Sequence, residues 1–350
     1  MRKIFLTLTI LLGLLNLTAC SQSEQQSSNN SDGDNSSNVI GDSSDVKSDQ
    51  NITSAKRYKI DFQDVTEENV AALFKSMPTK ETNAYGTTRF TSDGESASLG
   101  RSSGVGGRGT YHTVLYSTEQ GDDYDSAVYH SYNYKKADAD KDWDFLSRSE
   151  AERKIADILR GFMPTGASVK AYAISADAYS EMVSEKVEAD REYNKKLQED
   201  LDIIPKDKIW SAAADYYYFT IEQTVDGIPI QSDLIGNIDN GTQTWGSEGS
   251  AVLSAEGLGY LRVFSPYKIV GEVETSEKFI TFQQAEQMFR DKNNSFLTTE
   301  EITLECSRLV YVVLRAENNS LILTPAWEFK YNGEQFFRIN AYTGEEVVTV

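Results

Sequence analysis

Histidine and cysteine are scarce in this chain, whose 350 residues include two of each. Zinc sites need several such ligands at short spacing, and the sequence has neither HExxH nor a cysteine-histidine cluster. It also lacks the GxSxG nucleophile elbow. The residue count leaves a Ser-His-Asp triad open, but His112 and His130 lie in alternating, strand-like stretches. We interpret both as surface or cross-strand residues and predict no catalytic residue, no metal site and no cofactor.

Two loops resemble ligand-binding motifs but lack their essential residues. The glycine-rich stretch Gly100–Gly109 has no Gly-Lys-Ser/Thr, so we predict a mobile hairpin loop, with an anion- or partner-contacting loop as the alternative. Aspartates alternate over Asp138–Asp144 as in a calcium loop. However, Trp143 stands where that loop needs glycine, and Ser149 where it needs glutamate. We predict a solvated acidic turn there, and a weak cation site is the alternative.

Positive charge is also in short supply, since the chain carries a formal net charge of −20. The first twenty residues contribute +2 and residues 21–55 contribute −5, which leaves −17 for the remainder. Such a negative surface argues against nucleic acid and against docking on anionic lipid headgroups. It favours solubility, and a basic partner is the less common alternative.

Long apolar runs are absent except at the amino terminus. Arg2 and Lys3 precede an apolar run from Ile4 to Leu15, which is shorter than the roughly 20 residues that span a bilayer. The following Leu17-Thr18-Ala19-Cys20 resembles the lipobox of bacterial lipoproteins. That resemblance implies a signal peptide over 1–19 and a lipid on the sulfur of Cys20, which would hold the protein at the extracytoplasmic face of the cell membrane.

The predicted lipid on Cys20 also restricts disulfide formation. If Cys20 carries lipid, no intrachain disulfide can form in the mature protein, and we predict that Cys306 is a buried structural thiol. Residues 21–55 contain no aromatic residue and consist mainly of Ser, Asn, Asp, Gln and Gly. Such a segment buries too little apolar surface to offset its ordering entropy, so we predict a disordered, lipid-anchored linker over 20–55.

Four segments of the remaining chain have the apolar spacing of amphipathic helices. The first contains Val70, Leu73, Phe74 and Met77, with Asp64 and Glu67 as the cap. The second lies at 149–162 with a Ser149–Glu152 capping box, the third runs from about Ser175 to Asp200, and the fourth begins at Thr281 with Gln284.

Ten segments rich in aromatic and β-branched residues predict strands. They are Tyr85–Thr91, Thr110–Thr118, Val128–Tyr134, Asp215–Val225, Ile228–Ile235, Leu258–Phe264, Leu304–Arg315, Pro325–Tyr331, Gln335–Ala341 and Glu345–Val350. Asp226-Gly227, Asn240-Gly241 and Asn332-Gly333 separate strand pairs and suit tight hairpin turns. Hairpins preceded by single helices predict an α+β fold with antiparallel sheets, each backed by a helix.

The carboxyl-terminal half contains a weak repeat of helix, intervening segment, strand, turn and strand. We therefore predict an N-terminal α+β region over 56–165, a first helix-hairpin unit over 166–277 and a second over 278–350. It is unresolved from the sequence whether 56–165 is a separate domain. Trp327 is expected to fill core volume, and Gly344 to close a turn.

Residues 210–350 resemble the YycH/YycI-type regulators of Gram-positive bacteria and the related PepSY-like modules. The resemblance is carried by Gln223 with Gly227–Ile230, by Pro325-Ala326-Trp327 and by Asn340–Glu345. It implies a helix-on-sheet fold and a role in binding or restraining another protein. Those regulators have an amino-terminal transmembrane helix where this chain has a lipobox.

These patterns together predict a non-enzymatic, lipid-anchored extracytoplasmic protein that binds or regulates an envelope protein or peptide. A solute- or glycan-binding lipoprotein is the first alternative, although such proteins usually have two α/β lobes. An envelope hydrolase that uses carboxylates is the second, and it would require two facing acids in a cleft.

Overall fold

The computed structural model describes residues 51–84, 86–103, 110–131, 137–138, 141–201, 208–237, 242–295, 302–316, 318–333 and 335–348. Within these residues the helices are α1 (Glu67–Ala71), α2 (Glu119–Ser131), α3 (Arg148–Leu159), α4 (Ala176–Leu201) and α5 (Phe282–Ser295). The strands are β1 (Arg57–Phe62), β2 (Thr79–Thr82), β3 (Thr88–Ser92), β4 (Glu95–Ser103), β5 (Thr110–Thr118), β6 (Ala167–Ile174), β7 (Tyr216–Val225), β8 (Ile228–Pro229), β9 (Leu234–Asn237), β10 (Thr242–Trp245), β11 (Glu248–Ser254), β12 (Gly257–Phe264), β13 (Tyr267–Val273), β14 (Leu304–Arg315), β15 (Leu321–Tyr331) and β16 (Gln335–Asn340).

The strands form two main sheets. Sheet A has the order β13-β1-β15-β14, with β16 also paired to β15. Sheet B has the order β2-β3-β4-β5-β12-β11-β7-β6, with the short β8 beside β7, and β9 pairs with β10 separately. Every pairing between these named strands is antiparallel. The predicted α+β class with helix-backed antiparallel sheets is therefore confirmed.

Helices cover both faces of sheet B, because β7 carries large side chains on both sides. Tyr217 and Phe219 join α1 and α3 in one core cluster, whereas Tyr216 and Tyr218 join α2 and α4 in another. This follows from the two-residue period of a strand. Sheet A is covered by α5, whose Phe289 stacks on Phe329 of β15 at 4.9 Å between ring centres.

Two helix starts differ from the sequence prediction. The cap of α3 is Ser147 with Glu150 and not Ser149 with Glu152, although both pairs have the Ser-x-x-Glu pattern. The earlier register places Ala151, Ile155 and Leu159 in the core. The cap of α1 is Thr66, and the helix ends at Ala71, so the side chain of Met77 is 88% exposed and does not extend the apolar face.

The third and fourth predicted helices are confirmed in position. α4 buries Tyr179 and Met182 near its start, whereas Tyr193, further along the helix, is 60% exposed. At the start of α5 the backbone N–H of Thr281 donates to Gln284 at 2.9 Å, as the predicted capping box requires.

The prediction of a strand over Val128–Tyr134 is wrong where the structure describes it, because α2 runs to Ser131. Tyr124, Ala127 and Val128 recur at helical spacing and are buried against sheet B. The aromatic and β-branched composition of Val128–Tyr134 suggested a strand. In the segment that precedes it, however, the apolar residues recur with the period of a helix. His130 consequently belongs to a helix.

Three other strand and loop predictions need correction. Residues 100–103 continue β4 and pair with β5, so the hairpin connection is shorter than Gly100–Gly109, and residues 104–109 lie outside the described part. Over Glu345–Val350 the described residues form only an isolated bridge between Glu346 and Ile339. Strands β1, β2, β4, β6, β10, β11 and β13 were not predicted.

The predicted hairpin turns at Asp226-Gly227 and Asn332-Gly333 are confirmed. Asp226 and Gly227 have φ of 52° and 80°, and Asn332 and Gly333 have φ of 47° and 89°. Positive φ at both central residues is the geometry whose twist matches antiparallel strands. Asn240-Gly241 lies outside the described residues.

The two sheets are joined by the chain and by shared packing. β12 of sheet B continues through Ser265 and Pro266 into β13 of sheet A. β1, from the predicted N-terminal region, lies between β13 and β15, which belong to the two predicted repeat units. The three predicted regions thus contribute strands to one sheet, and their boundaries stay predictions.

Helix α2 approaches sheet B most closely at a pair of glycines, which leads to a stability prediction. A Cβ on Gly121 would lie 2.0 Å from the carbonyl oxygen of Gly259. We expect Gly121→Ala to lower the free energy of unfolding by about 2–3 kcal/mol, because overpacking outweighs the gain of up to about 1 kcal/mol in helix propensity. Urea denaturation of the purified chain measures this.

The control is Gly271→Ala, since a Cβ there meets no heavy atom within 4 Å. It is expected to change stability by less than about 0.5 kcal/mol. Equal stability of the two variants would contradict the close approach of α2 and β12.

Candidate functional site

A cavity lies beside the first described residues of the chain, and we call it the N-terminal pocket. Its volume is about 490 Å³. It is lined by Ile52, Ser54, Ala55, Lys56, Arg57, Asp226, Ile228, Glu272, Val273, Thr275, Tyr311 and Tyr342. The hydroxyl of Tyr342 donates to the carbonyl of Ala55, and that of Tyr311 donates to the carbonyl of Lys56 at 2.9 Å. Two tyrosines from the carboxyl-terminal part of the chain therefore hold the incoming backbone against the fold.

Most charges around the N-terminal pocket are paired. Lys56 binds Glu272 at 2.7 Å, and Tyr58 donates to Asp226. Burial, together with this hydrogen bond, raises the pKa of Tyr58 far above its usual range, so the phenol stays protonated as the donor. Arg57 differs: its Nη1 lies 3.8 Å from Glu277, and its buried Nε–H has no acceptor in the described part of the chain.

A second cavity, the distal pocket, has a volume of about 530 Å³ and lies at the start of α2. Its inner wall contains the buried Glu95, which accepts hydrogen bonds from the hydroxyl of Tyr116 at 2.8 Å and the backbone N–H of Lys75 at 3.1 Å. Burial and the Glu95 carboxylate keep Tyr116 protonated by raising its pKa. Both oxygens of Glu95 are therefore occupied within the fold.

The third cavity, the histidine pocket, has a volume of about 220 Å³ and contains His112. His112 pairs across the strands with Arg101, as predicted for a cross-strand residue, but it is only 8% exposed. Its ring stacks on Phe62 at 4.4 Å. His112 and the helical His130 therefore occupy different kinds of secondary structure.

A chain of buried charges connects the two sheets. Arg338 of β16 donates to Glu328 through Nε at 2.6 Å and to Asp233 through Nη1 at 2.5 Å. Arg308 of β14 joins Glu328 to Glu222 of β7, at 2.9 Å on each side. Burial alone would raise the pKa of Glu328, but Arg338 and Arg308 hold it well below its usual range.

Asp233 is less completely paired than Glu328, the other acid that Arg338 contacts in this chain of charges. Burial raises its pKa despite Arg338, and its Oδ1 has no hydrogen-bond partner in the described part of the structure. None of these charged groups lines one of the three cavities described above. We therefore interpret the charges as a link between the two sheets.

A separate buried acid, Asp125, belongs to α2. Asp125 accepts a hydrogen bond from Ser250 at 3.3 Å, and burial raises its pKa to about 6 against the opposing effects of Arg262 and Tyr260. The folded state therefore keeps a proton between about pH 4 and pH 6 that the unfolded state releases. The contribution of Asp125 to stability falls as the pH rises through that window.

This predicts a pH-dependent effect of Asp125→Asn. At pH 7.5 the variant should be more stable than the wild type by about 2–3 kcal/mol, because it avoids the buried charge, and near pH 4 the two should be about equal. Urea denaturation at the two pH values checks this. A constant difference across the range would show that Asp125 is not the titrating group.

The acidic turn is only partly described. Asp138 forms a β-bridge with Ala173 of β6, and Asp142 accepts a hydrogen bond from the backbone N–H of Arg148 at 2.7 Å, at the start of α3. Asp140 lies outside the described residues. No group of three or more metal-binding side chains occurs within the described ranges.

The predicted lipid-attachment residue, Cys20, lies outside the described residues. Cys306 lies on β14 and is partly buried. Cys306 is therefore only half-buried, which is less than the predicted buried thiol requires. The described helices include none that is long and apolar enough to cross a membrane.

Sequence reasoning did not find the N-terminal pocket or the chain of charges. Arg57 is preceded by Lys56 and resembles any basic pair at the end of a linker. Arg338 alternates with Phe337 and Ile339 in β16, and a charged residue between apolar ones on a strand is usually solvent-exposed. Only the unusual presence of Glu328 and Arg338 beside core residues could have suggested buried pairing.

The chain matches no known protein-family model and no curated protein sequence. Among solved structures it is similar to an uncharacterised protein from Eubacterium rectale, with a TM-score of 0.54 and 17% sequence identity. The match covers 83% of this chain and 85% of that one. At this identity the similarity shows a shared α+β fold and nothing about activity.

Proposed function

We propose that this protein is a lipid-anchored, extracytoplasmic protein that binds or regulates another envelope protein or a peptide and is not an enzyme. The observation that carries the proposal is the amino terminus: a charged and apolar leader, then Leu17-Thr18-Ala19-Cys20, then a polar segment without aromatic residues. A lipobox cysteine is chemically the acceptor of diacylglycerol, and the polar segment gives the folded part reach from the membrane.

The way the chain enters the fold supports this anchoring. β1 lies inside sheet A with hydrogen-bonded neighbours on both sides, and the carbonyls of Ala55 and Lys56 are held by tyrosine hydroxyls. A linker that pulls on residue 51 therefore pulls on a strand embedded in the sheet. This firm attachment suits a protein held at its amino-terminal end.

Partner binding is favoured over catalysis by the position of the perturbed acids. Asp125, Asp233 and Glu248 all have pKa values raised by burial, but none of them lines the described cavities. A hydrolase that uses two carboxylates needs both in contact with substrate. The formal charge of −20 is consistent with a partner that has a basic surface, although solubility alone is its more common role.

The anchoring is tested by mass spectrometry of the amino-terminal peptide from membrane-extracted protein. We expect a diacylglyceryl thioether on Cys20 and, for Cys20→Ser, an unprocessed chain that lacks the lipid. Cys306→Ser is the matched control and should still be lipidated. A peptide containing Cys20 in disulfide linkage to Cys306 would contradict lipidation, because one sulfur cannot carry both bonds.

Partner binding is tested by crosslinking the lipidated protein in envelope preparations and identifying the products. A defined protein or peptide that is recovered with wild type and lost on competition with the unlabelled folded part would support the proposal. Failure to recover any partner, together with tight binding of a small solute, would instead support a solute-binding lipoprotein.

A further inference from the structure

We propose that the chain of charges extends into helix α2 and acts as a pH-sensitive contact between the two sheets, which takes up about two protons in weakly acidic surroundings. We call the whole set the charge array. Its members are Asp125, Glu222, Asp233, Glu248, Arg262, Arg308, Glu328 and Arg338. The inference goes beyond the proposed function and does not depend on it, because no member of the array lines one of the three described cavities.

The charge array is continuous from α2 to sheet A. Glu248 of β11 is bound by Arg262 of β12, and it lies directly opposite Glu222 of β7. Glu222 is the residue at which the chain of charges on sheet A reaches sheet B. At the other end, Asp125 of α2 accepts a hydrogen bond from Ser250, whose cross-strand partner is Arg262. The array therefore joins one helix and both sheets.

The charge array contains more acids than bases. Its five carboxylates face three guanidiniums, so two negative charges would be unmatched if every carboxylate were ionised. Guanidinium groups stay charged throughout the pH range in which proteins fold, so only the acids can change their charge. An unmatched charge is costly in a buried site, and a bound proton removes that cost.

At the α2 end, one guanidinium serves two acids. Arg262 binds Glu248 directly and also acts on Asp125, which faces Tyr260 of β12 and is repelled by Asp122 of its own helix. Burial raises the pKa of Glu248, and it raises that of Asp125 to about 6. One proton therefore balances the charge at this end.

The sheet A end has the same shortage of positive charge. Two guanidiniums serve three acids there, namely Arg308 and Arg338 against Glu222, Asp233 and Glu328. Glu328 touches both guanidiniums, which lower its pKa to about 2, whereas burial raises the pKa of Asp233. The second proton is therefore held by Asp233. The charge of Asp233 also acts on Glu248, which couples the two ends of the array.

Proton binding strengthens the contact between the sheets at low pH. Acids whose pKa is raised by folding hold protons that an opened state releases, so their stabilising effect is lost as the pH rises through the raised values. The side chains of Glu222 and Glu248 are 20% and 19% exposed, so water and protons reach the middle of the array. Sheets A and B should therefore separate more readily at neutral pH than near pH 5.

The first test counts the protons with the full-length chain in detergent. The unfolding equilibrium constant is measured in urea between pH 5 and pH 7 for the wild type and for Asp125→Asn combined with Asp233→Asn, which leaves three acids with three guanidiniums. The two slopes of log K against pH should differ by about two protons, that is by about a hundredfold in K for each pH unit at the steepest point. The histidines are the same in both chains and cancel.

A matched control removes two exposed acids that have cationic partners. Asp157→Asn combined with Asp190→Asn should leave the slope unchanged, because water screens both pairs. The single variant Asp125→Asn should lose about one proton, so the count does not depend on how well the double variant folds. A difference of less than one proton between the wild type and the double variant would overturn the proposal, as would an unchanged slope in Asp125→Asn.

The second test locates the effect by amide hydrogen exchange, corrected for the intrinsic pH dependence of exchange. Between pH 5.5 and pH 8, the protection of β14 and β16 in the wild type should fall by about tenfold or more relative to β3, which has no member of the array. The double variant should not show this fall. Equal changes in the three strands, or the same fall in the double variant, would overturn the role of the array between the sheets.

Discussion

Replacing Arg338 with methionine should lower the free energy of unfolding by about 3–5 kcal/mol, which we expect to be among the largest effects of any single substitution. Arg338 is 2% exposed and is the only guanidinium in contact with Asp233 in the described structure. Its loss leaves Asp233 buried without a counter-charge and Glu328 with Arg308 alone. Urea denaturation monitored by tryptophan fluorescence measures the change.

The ion pair between Arg153 and Asp157 provides a matched control. It is exposed, with 3.4 Å between its atoms, and such pairs contribute little because water screens them. Arg153→Met should therefore change stability by less than about 0.5 kcal/mol. If Arg338→Met cost no more than this, the buried chain of charges would not be a stabilising link.

A double variant separates lost attraction from an uncompensated charge. Asp233→Asn removes the acid that Arg338 neutralises, so Arg338→Met combined with Asp233→Asn should cost less than the sum of the single changes. The coupling should be about 1–3 kcal/mol, because the two side chains are in direct contact. Simple additivity would show that the two residues act independently.

Trp327→Ala should lower the free energy of unfolding by about 3–5 kcal/mol through loss of core packing. Trp327 is fully buried, its ring lies edge-on to Phe282 at 5.5 Å, and its Nε1–H donates to the carbonyl of Ile280 at 2.8 Å. Trp327→Phe keeps much of the volume but leaves that carbonyl without its donor, so we expect a smaller loss of about 1–2 kcal/mol. Thermal and urea unfolding check both values.

Trp210 lies outside the deep core and is therefore the comparison for Trp327. It is only partly buried, with Lys208 4.2 Å from its ring centre. Trp210→Ala should cost about 1 kcal/mol, since less apolar surface is removed from water on folding. Equal costs at the two positions would contradict the central place of Trp327 in the core beneath α5.

Local chemistry predicted a large part of the fold. The Thr281–Gln284 capping box, the Asp226-Gly227 and Asn332-Gly333 turns, and the alternation of aromatic residues around Tyr217 depend on residues close in sequence. Where local patterns allowed two registers, as at the start of α3, packing made the choice. α2 was missed because Gly121 and several acids obscured an apolar face whose burial depends on the distant β12.

The candidate site was beyond sequence reasoning for a physical reason. The N-terminal pocket joins Arg57 to Glu272 and Tyr342, and the chain of charges joins Asp233 to Arg338, 105 residues away. No short-range rule tells which arginine of a strand will be buried or which acid will face it. The structural similarity to the Eubacterium rectale protein, at 17% sequence identity, shows a shared fold but identifies no site residue.

The sequence by itself determined the α+β class, about half of the strands and four of the five helices, because these follow from apolar period, capping and turn chemistry within a few residues; the leader with its lipobox stays a prediction. Only the tertiary structure decided that β1 lies inside sheet A, that Arg338 is neutralised by two buried acids and that the Nε–H of Arg57 is buried without an acceptor among the described residues. Those outcomes depend on burial and on contacts between residues far apart in the chain, where desolvation and pairing set the energy of each charge.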